Sequence, residues 1–404
     1  MSLAMGIGVS SAADVRAAGE EAANQMLTQL DGRRVNAVIV FASIRFADPR
    51  MLKAVRAATG GAPLIGCTDA GSIVTSGSKR RSVAVIGLAV ENGGVEVGVE
   101  RGLSIRANTA GKNLAQALRK RAPHEPRCML VFPDGLSANG SDVLAGLKRG
   151  IAPGVALVGA MAADDLYFQK TFQFHNDEIL TDSLPGALIW GDVNVGVGVR
   201  HGWVPVGRPR SVTRSVGHIV YQLDDRPAVS IYEDFLGLHQ DELMQDPLAE
   251  VTLTYPLGTK DPGQSEYMLR DAFRVGRAGS LICTGDIQQG CDVRLMIGGF
   301  ESALEAAQQA ACDARDQLAG HRLAGALVFC SVARQKMLGS EFQGEIDVIR
   351  DALGGAGVRL GGFYSYGELA PVAPATTAKR RAGRQPHRAV AQFHNESVVV
   401  AALG

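Results

Sequence analysis

Three stretches of the sequence repeat the same order of elements, and this repetition constrains the fold more than any other feature. In each, a strand-like run ending in phenylalanine is followed, after room for one helix, by a second apolar run that leads to a glycine. The spacing is 25, 27 and 32 residues for Phe41 to Gly66, Phe132 to Gly159 and Phe329 to Gly361. Such spacing is typical of a β-α-β unit. The sequence therefore predicts three divergent β-α-β units.

Turn-like segments between other apolar runs predict β-hairpins beside these units. They lie at residues 91–94, 191–192 and 286–290, and each separates two strand-like stretches. Hairpins pair antiparallel strands, whereas β-α-β units pair parallel ones. We therefore predict an α/β fold in which mixed parallel and antiparallel sheets are flanked by helices.

The sequence pattern changes near residue 201, where prolines become frequent. Prolines at 205, 209, 227, 247, 256 and 262 break up this region, and a strand, a turn and a short helix are predicted over residues 216–238. We interpret the change as the start of a second half. The prediction is two lobes, residues 30–200 and 201–404, with internal pseudo-repeats of β-α-β and hairpin units.

Composition narrows the classes of function. Among 404 residues, Lys plus Arg and Asp plus Glu both number 41, which argues against a nucleic-acid or membrane-surface partner because those partners favour a basic excess. The six cysteines form no C-x-x-C pair, so neither a zinc site nor a disulfide scaffold is indicated. Without a leader-like or 18-residue apolar stretch, a cytoplasmic location is predicted.

The segment Gly361–Pro371 combines flexible glycines with ring faces, hydroxyls and one carboxylate. Tyr364, Ser365, Tyr366 and Glu368 supply these groups directly after an apolar run. Such a mixture suits a small polar ligand. Tyr364 and Tyr366 are two residues apart on an extended segment, so they would face the same side and could either line a pocket or belong to the core.

Glu368 and Arg270 are the most attractive pair of charges for a zwitterionic ligand. The carboxylate can accept hydrogen bonds from an ammonium group, and the guanidinium can bind a carboxylate through two parallel bonds. Alternatively, the two side chains pair with each other.

Further candidates follow predicted strands. Ser331 and Arg334 come after the run 326–330, and Thr68 and Asp69 come after the equivalent run in the first half. Strand carboxyl ends border the ligand crevice of open α/β sheets, so these side chains are predicted to contact ligand.

Two histidines precede asparagines near strand ends, at His175 and His394. A hydrolase with Cys67 or Cys330 as nucleophile is one interpretation, but no catalytic motif accompanies them. His394 and Asn395 are retained as ligand-binding candidates, with a turn that bonds the backbone as the alternative. The arginine-rich loop over 372–391 is either a solvated loop or a basic lid.

With these motifs in order, the sequence resembles the FIST sensory-domain family, named for F-box and intracellular signal transduction. Residues 64–71 carry the resemblance to the N-terminal module. The C-terminal module is matched by residues 267–270, 362–368 and 393–396.

The resemblance implies a bacterial sensor that binds a small molecule, for example an amino acid, in the C-terminal module. It also implies a separate output partner, such as a histidine kinase or a cyclic-dinucleotide enzyme, and no enzymatic activity or cofactor. One branch of the family resembles this layout and binds haem to sense nitric oxide. His201, His218 and His239 are the candidate haem ligands in that alternative, since each lies in or beside an apolar run.

Overall fold

The computed structural model describes residues 3–237, 242, 251–260, 266–372 and 390–404. Over these residues the chain forms three six-stranded sheets and one eight-stranded sheet, and helices flank the six-stranded ones. Parallel and antiparallel pairs occur within the same six-stranded sheet, so the predicted mixed α/β class is confirmed.

The first two units of the chain have the same order of elements. The first contains β1 (Leu3–Ser10), α1 (Val15–Leu30), β2 (Ala37–Ser43), α2 (Pro49–Ala58), β3 (Leu64–Asp69), β4 (Ser72–Val74), β5 (Gly77–Lys79) and β6 (Val83–Val90). The second contains β7 (Gly93–Arg101), α3 (Leu103–Arg121), β8 (Pro126–Val131), α4 (Gly140–Gly150), β9 (Ala156–Ala160), β10 (Gln173–His175), β11 (Glu178–Leu180) and β12 (Ser183–Gly191). Each unit is thus β-α-β-α-β followed by a hairpin and a last strand.

The third unit starts with β13 (Val195–Arg200) and is then interrupted by an inserted sheet. The insertion contains β14 (Trp203–Val216), β15 (Ile219–Leu223), β16 (Arg226–Pro227), α5 (Ser230–Leu236), β17 (Leu257–Thr259), β18 (Met268–Arg270), β19 (Ala272–Val275), β20 (Leu281–Cys283) and β21 (Asp292–Gly298). Its strands form the eight-stranded sheet. The predicted lobe boundary at 200/201 falls where the insertion begins, and the division into two lobes stays a prediction.

After the insertion the third unit resumes the order of the first two. It contains α6 (Phe300–Gln317), β22 (Gly325–Ser331), α7 (Val332–Leu338), α8 (Phe342–Leu353), β23 (Leu360–Ser365), β24 (Glu368–Val372), β25 (Val390–His394) and β26 (Val398–Leu403). The three parallel pairs are β2 with β3, β8 with β9, and β22 with β23. The three predicted β-α-β units are therefore confirmed.

Each unit donates its hairpin to the sheet of another unit. The hairpin β4–β5 pairs with β23, β10–β11 pairs with β3, and β24–β25 pairs with β9. The donation is cyclic, so no six-stranded sheet is complete without strands from two units. The three units consequently form one interlocked structure.

The predicted hairpins at 91–94, 191–192 and 286–290 were wrong. β6 pairs with β1 and β2, whereas β7 pairs with β12. Likewise β12 and β13 lie in different sheets, and β20 and β21 have separate neighbours in the inserted sheet. The first two turns carry the chain from one sheet to the next because the strands on both sides face a shared core.

That core lies where the three six-stranded sheets face one another. Phe41, Phe132 and Phe329, the phenylalanines that define the sequence repeat, meet there with ring centroids 5.0, 6.2 and 5.9 Å apart. Each is fully buried. Edge-on aromatic pairs contribute about 0.5–1.5 kcal/mol beyond area burial, so this contact helps to hold the three units together.

Hydrogen bonds to nearby side chains also determine where helices start. The carboxylate of Asp14 accepts from the backbone N–H of Ala17 at 2.8 Å and so caps the start of α1. In the part of the chain that the structure describes, no helix is both long and apolar enough to cross a membrane.

Candidate functional site

A cleft of about 670 Å³ lies at the carboxyl ends of β8, β9, β22 and β23, where they face the inserted sheet. Its walls come from three parts of the chain: the loop 135–140 with Met161 and Phe168, the inserted sheet, and residues around Ser331, Tyr366 and Asn395. Ligand crevices of α/β sheets occupy this edge. The volume is in the range of small-molecule sites.

One wall of the cleft is a stacked aromatic pair. The rings of Phe168 and Tyr366 have centroids 4.6 Å apart and are tilted by 12°. The Tyr366 hydroxyl donates to Asp164 at 2.5 Å, and the same carboxylate accepts from the backbone N–H groups of Phe168, Gln169 and Lys170 at 2.7–2.9 Å. We call residues 164–170 the strap. Its shape is set mainly by one buried carboxylate.

Two glycines make room for the ring of Phe393 in the wall of the cleft. Gly367 has φ +150°, and a Cβ on it would lie 2.7 Å from the ring of Phe393. A Cβ on Gly140 would be 2.3 Å from the same ring. Because neither position can accept a side chain without displacing Phe393, the two glycines let this ring line the cleft.

Two acid groups meet at the wall of the cleft: Asp271 lines it, and Glu396 is fully buried behind it. Their carboxyl groups lie within hydrogen-bond reach of each other, and no other described group donates to Glu396 or to Asp271 Oδ1. Burial and the neighbouring Asp271 carboxyl raise the pKa of Glu396 well above its usual value, and burial raises the pKa of Asp271. Glu396 also has the left-handed φ of 54°, a strained conformation for a non-glycine residue.

Hydroxyl and amide side chains complete the polar surface of the cleft. Thr252 is fully buried and lines the cleft, and its Oγ1 has no partner among the described residues. Asn139 and Ser331 line the cleft as the N-caps of α4 and α7, and accept from the backbone N–H groups of Ser141 at 2.9 Å and Ala333 at 3.3 Å. The helix starts here are therefore already capped from within the protein.

Comparison with known families decides what kind of protein this is. Residues 36–226 match the model of the FIST N domain, and residues 228–371 match that of the FIST C domain. The chain belongs to the FIST family. FIST domains imply a sensory, signal-transduction role, and the resemblance found in the sequence is confirmed.

Two mycobacterial relatives of this FIST protein are described only as uncharacterized proteins. A protein of Mycobacterium tuberculosis is 27% identical over 375 residues, which cover 91% of this chain and 95% of the relative. A Mycobacterium bovis protein is 25% identical over 381 residues, covering 91% and 94%.

Among solved structures, a chorismatase aligns over 100% of this chain and 99% of its own at 10% identity and a TM-score of 0.37. A cyanuric acid hydrolase aligns over 100% of both chains at 8% identity and a TM-score of 0.33. Likeness at this level indicates nothing about the activity of the FIST chain.

The structure brings three of the predicted site residues, Ser331, Tyr366 and Asn395, to the cleft of the FIST protein. Arg270 lies behind it and is 6% exposed. Its guanidinium donates to the carbonyl oxygens of Leu269 at 2.7 Å and Phe393 at 3.1 Å, and also to Asn395 Oδ1 at 3.4 Å. The guanidinium therefore joins β18 to the end of β25.

Glu368 has partners within the protein too. Its carboxyl accepts from the hydroxyls of Ser365 and Ser397, both at 2.6 Å. Burial raises the pKa of Glu368 to about 8. Tyr364 is fully buried in the core beside α8, whereas Tyr366 lines the cleft, so the two tyrosines have different surroundings.

The other predicted residues make internal contacts away from the cleft. Arg334 is fully buried and its Nε donates to Glu345 at 2.6 Å. Thr68 Oγ1 accepts from the backbone N–H of Phe172 at 3.0 Å. Asp69 accepts from the Ser72 hydroxyl at 2.5 Å, and burial raises the pKa of Asp69 to about 7.

The histidines occupy different places. His201 and His394 line a small cavity of about 10 Å³, and burial lowers their pKa to about 3 and about 4, so both are neutral. His218 lines the cleft, whereas His239 and the basic loop over 373–389 lie outside the described residues. His175 ends β10 and His394 ends β25, so both histidines lie at strand ends, as the sequence predicts.

The described lining residues of the cleft supply one candidate haem ligand and no cation. A histidine that ligates haem is neutral and faces an apolar cavity. Of the two candidates that the structure describes, His201 and His218, only His218 lines the cleft. No lysine or arginine occurs among the described lining residues, and Asp271 lines the same space as an acid.

Sequence reasoning missed Asp271, Glu396 and Phe168. Asp271 directly follows Arg270, and Glu396 directly follows Asn395, so both adjoin residues that were chosen. Their position beside each other at the cleft depends on tertiary contacts. Phe168 lies in a segment with no regular secondary-structure signal, and nothing in the sequence indicates its stacking on Tyr366.

Proposed function

We propose that this FIST protein is a sensor that binds a small organic molecule in the cleft and signals through a separate partner. The observation that carries the proposal is the cleft itself, which is large enough for a metabolite and has apolar walls with a few unpartnered polar groups. Its residues come from both matched domains. The ligand site that we propose therefore spans the two domains and is not confined to the C-terminal module.

The strap gives a route from ligand to surface. Phe168 lines the cleft and is exposed together with its neighbours Leu166 and Tyr167. Asp165, Leu166 and Phe168 have left-handed φ angles. A ligand that packs against Phe168 in only one arrangement of the strap would shift the equilibrium between two arrangements of the protein surface.

The partner would be an output protein such as a histidine kinase or a cyclic-dinucleotide enzyme, in the cytoplasm. We propose no nucleic-acid or membrane partner.

A catalytic role receives no support from the thiols. Burial raises the pKa of Cys67 and of Cys330 well above the usual value, so little reactive thiolate forms at neutral pH. We therefore keep sensing, without catalysis, as the proposal.

Thermal-shift screening of the full chain against a panel of amino acids, amines, organic acids and nucleosides tests the proposal. Binding should raise Tm with ligand concentration. Leu136→Trp, at the mouth of the cleft, should abolish the shift, and Val204→Trp, exposed on β14 and not among the lining residues, should not. Absence of any shift, or a shift that persists in Leu136→Trp, would contradict the proposal.

An absorbance spectrum before and after haemin addition tests the alternative. We expect no sharp Soret band, since the described cleft lacks cations for the propionates. A band that moves with nitric oxide and disappears in His218→Ala would replace the metabolite sensor by a haem sensor.

A further inference from the structure

We propose that the ligand is an arylalkylamine: a protonated amine on a flat apolar body, with no carboxylate, whose ammonium group binds at the Asp271 carboxyl, with the Glu396 carboxyl behind it. The inference rests on the proposed function, because it names the ligand class of the same cleft.

The acid pair provides the cation site. Two buried carboxyl groups cannot both ionise without a cation nearby, and a cation that reaches them can take the place of the proton between them. Asp271 and Glu396 are close enough to share a hydrogen bond with each other, which requires that one of them hold a proton when no cation is present. An ammonium group has three donors and no acceptor, which suits a pair of carboxyl groups.

Thr252 is an independent observation in favour of a ligand. Its hydroxyl lines the cleft from a fully buried residue and has no partner among the described residues. Buried hydroxyls are normally hydrogen-bonded, so a missing partner at a cleft wall indicates a group that arrives from outside. The hydroxyl lines the same cleft as Asp271, so a ligand bound there can reach both walls.

The described cleft offers no cation to a ligand carboxylate. No lysine or arginine occurs among its described lining residues, and Arg270 behind it already donates to carbonyl oxygens. The helix α4 starts at the cleft, but Asn139 already caps it through the N–H of Ser141. A free amino acid would therefore bury its carboxylate without a counter-charge, whereas the corresponding amine would not.

The apolar surface defines the body of the ligand. The stacked rings of Phe168 and Tyr366 form one wall, and Phe273 and Phe393 also line the space. Aromatic rings favour stacked or edge-on contacts with another ring. A flat aromatic group attached to the amine through a short chain makes use of both features.

Calorimetric titration of the full chain with tyramine, L-tyrosine and N-acetyltyramine tests the inference, since the three share a ring and differ in charge. We expect tyramine to bind, and the Kd of the other two to be higher by about tenfold or more, the effect of losing or opposing one charge-assisted hydrogen bond. Equal or tighter binding of L-tyrosine or N-acetyltyramine would overturn the inference.

Variants locate the ammonium site. Asp271→Asn should raise the Kd of tyramine by about ten- to a hundredfold. If this variant folds poorly, the same titration of Glu396→Gln tests the site. Asp292→Asn, which removes an exposed carboxylate of the same inserted sheet outside the cleft, should leave the Kd unchanged. Unchanged binding in both site variants contradicts the inference.

The outcome also separates this inference from the sensor proposal. If none of the three compounds binds but another compound gives a thermal shift that Leu136→Trp abolishes, the sensor proposal stands and the amine inference fails. If no compound of any class binds, both fail.

Discussion

Replacing Glu368 with glutamine should remove a large part of the pH-dependence of stability. The Glu368 carboxyl is fully buried and bonded to the hydroxyls of Ser365 and Ser397. Burial raises its pKa from 4.5 to about 8, so the folded protein holds this side chain protonated at neutral pH. Glutamine has the same shape as a protonated glutamate and offers one acceptor and two donors to the same hydroxyls.

The sign follows from proton binding. An unfolded glutamate ionises near pH 4.5, whereas the folded one keeps its proton up to about pH 8. Between these values the folded state binds more protons, so the contribution of Glu368 to stability is fully present below pH 4.5 and is lost as pH rises through 8. One pKa unit corresponds to about 1.4 kcal/mol, which limits the total loss to about 5 kcal/mol.

Urea unfolding of the wild type and Glu368→Gln at five pH values between about 5 and 9 measures the effect. At the acid end the two free energies of unfolding should agree within about 1 kcal/mol, because an amide replaces a neutral acid. With rising pH the variant should gain up to about 1.4 kcal/mol per unit over the wild type, until the gain levels off above pH 8.

The control is Glu305→Gln, which removes an exposed carboxylate from α6. Its difference from the wild type should not vary with pH. If the Glu368→Gln difference is equally flat, the folded protein already holds Glu368 ionised at neutral pH, and the reasoning from burial is refuted.

Three further predictions concern the core, a buried ion pair and the strap. Phe132→Ala should destabilise the protein by about 3–5 kcal/mol, as measured by urea unfolding, because it removes a ring at the meeting point of the three units. Arg334→Met should cost about 3–5 kcal/mol by leaving buried Glu345 unpaired, and adding Glu345→Leu should recover most of it; no recovery would contradict the ion-pair explanation. Asp164→Ala should accelerate hydrogen exchange of the amides of residues 168–170 by about tenfold or more, and unchanged exchange would show that other contacts hold the strap.

Local patterns predicted the repeat because its signal is contained in each unit. Phe41, Phe132 and Phe329 mark equivalent strands in the sequence and then meet in the core. The helix N-caps and the parallel strand pairs follow from the same short-range order. Strand pairing between units does not follow from short-range order. The turn at Gly93 resembles a hairpin turn, but β6 and β7 belong to different sheets. Only the packing of sheets around a shared core decides between these outcomes.

The candidate site shows the same limit at the level of single side chains. Residue type favoured Arg270 and Glu368 for ligand charges, yet each makes hydrogen bonds within the protein. Asp271 and Glu396 adjoin chosen residues in the sequence, yet their carboxyl groups face each other, and no other described group donates to Glu396 or to Asp271 Oδ1. Whether the fold pairs an acid group with a donor or a cation depends on tertiary contacts, so residue type alone does not reveal it.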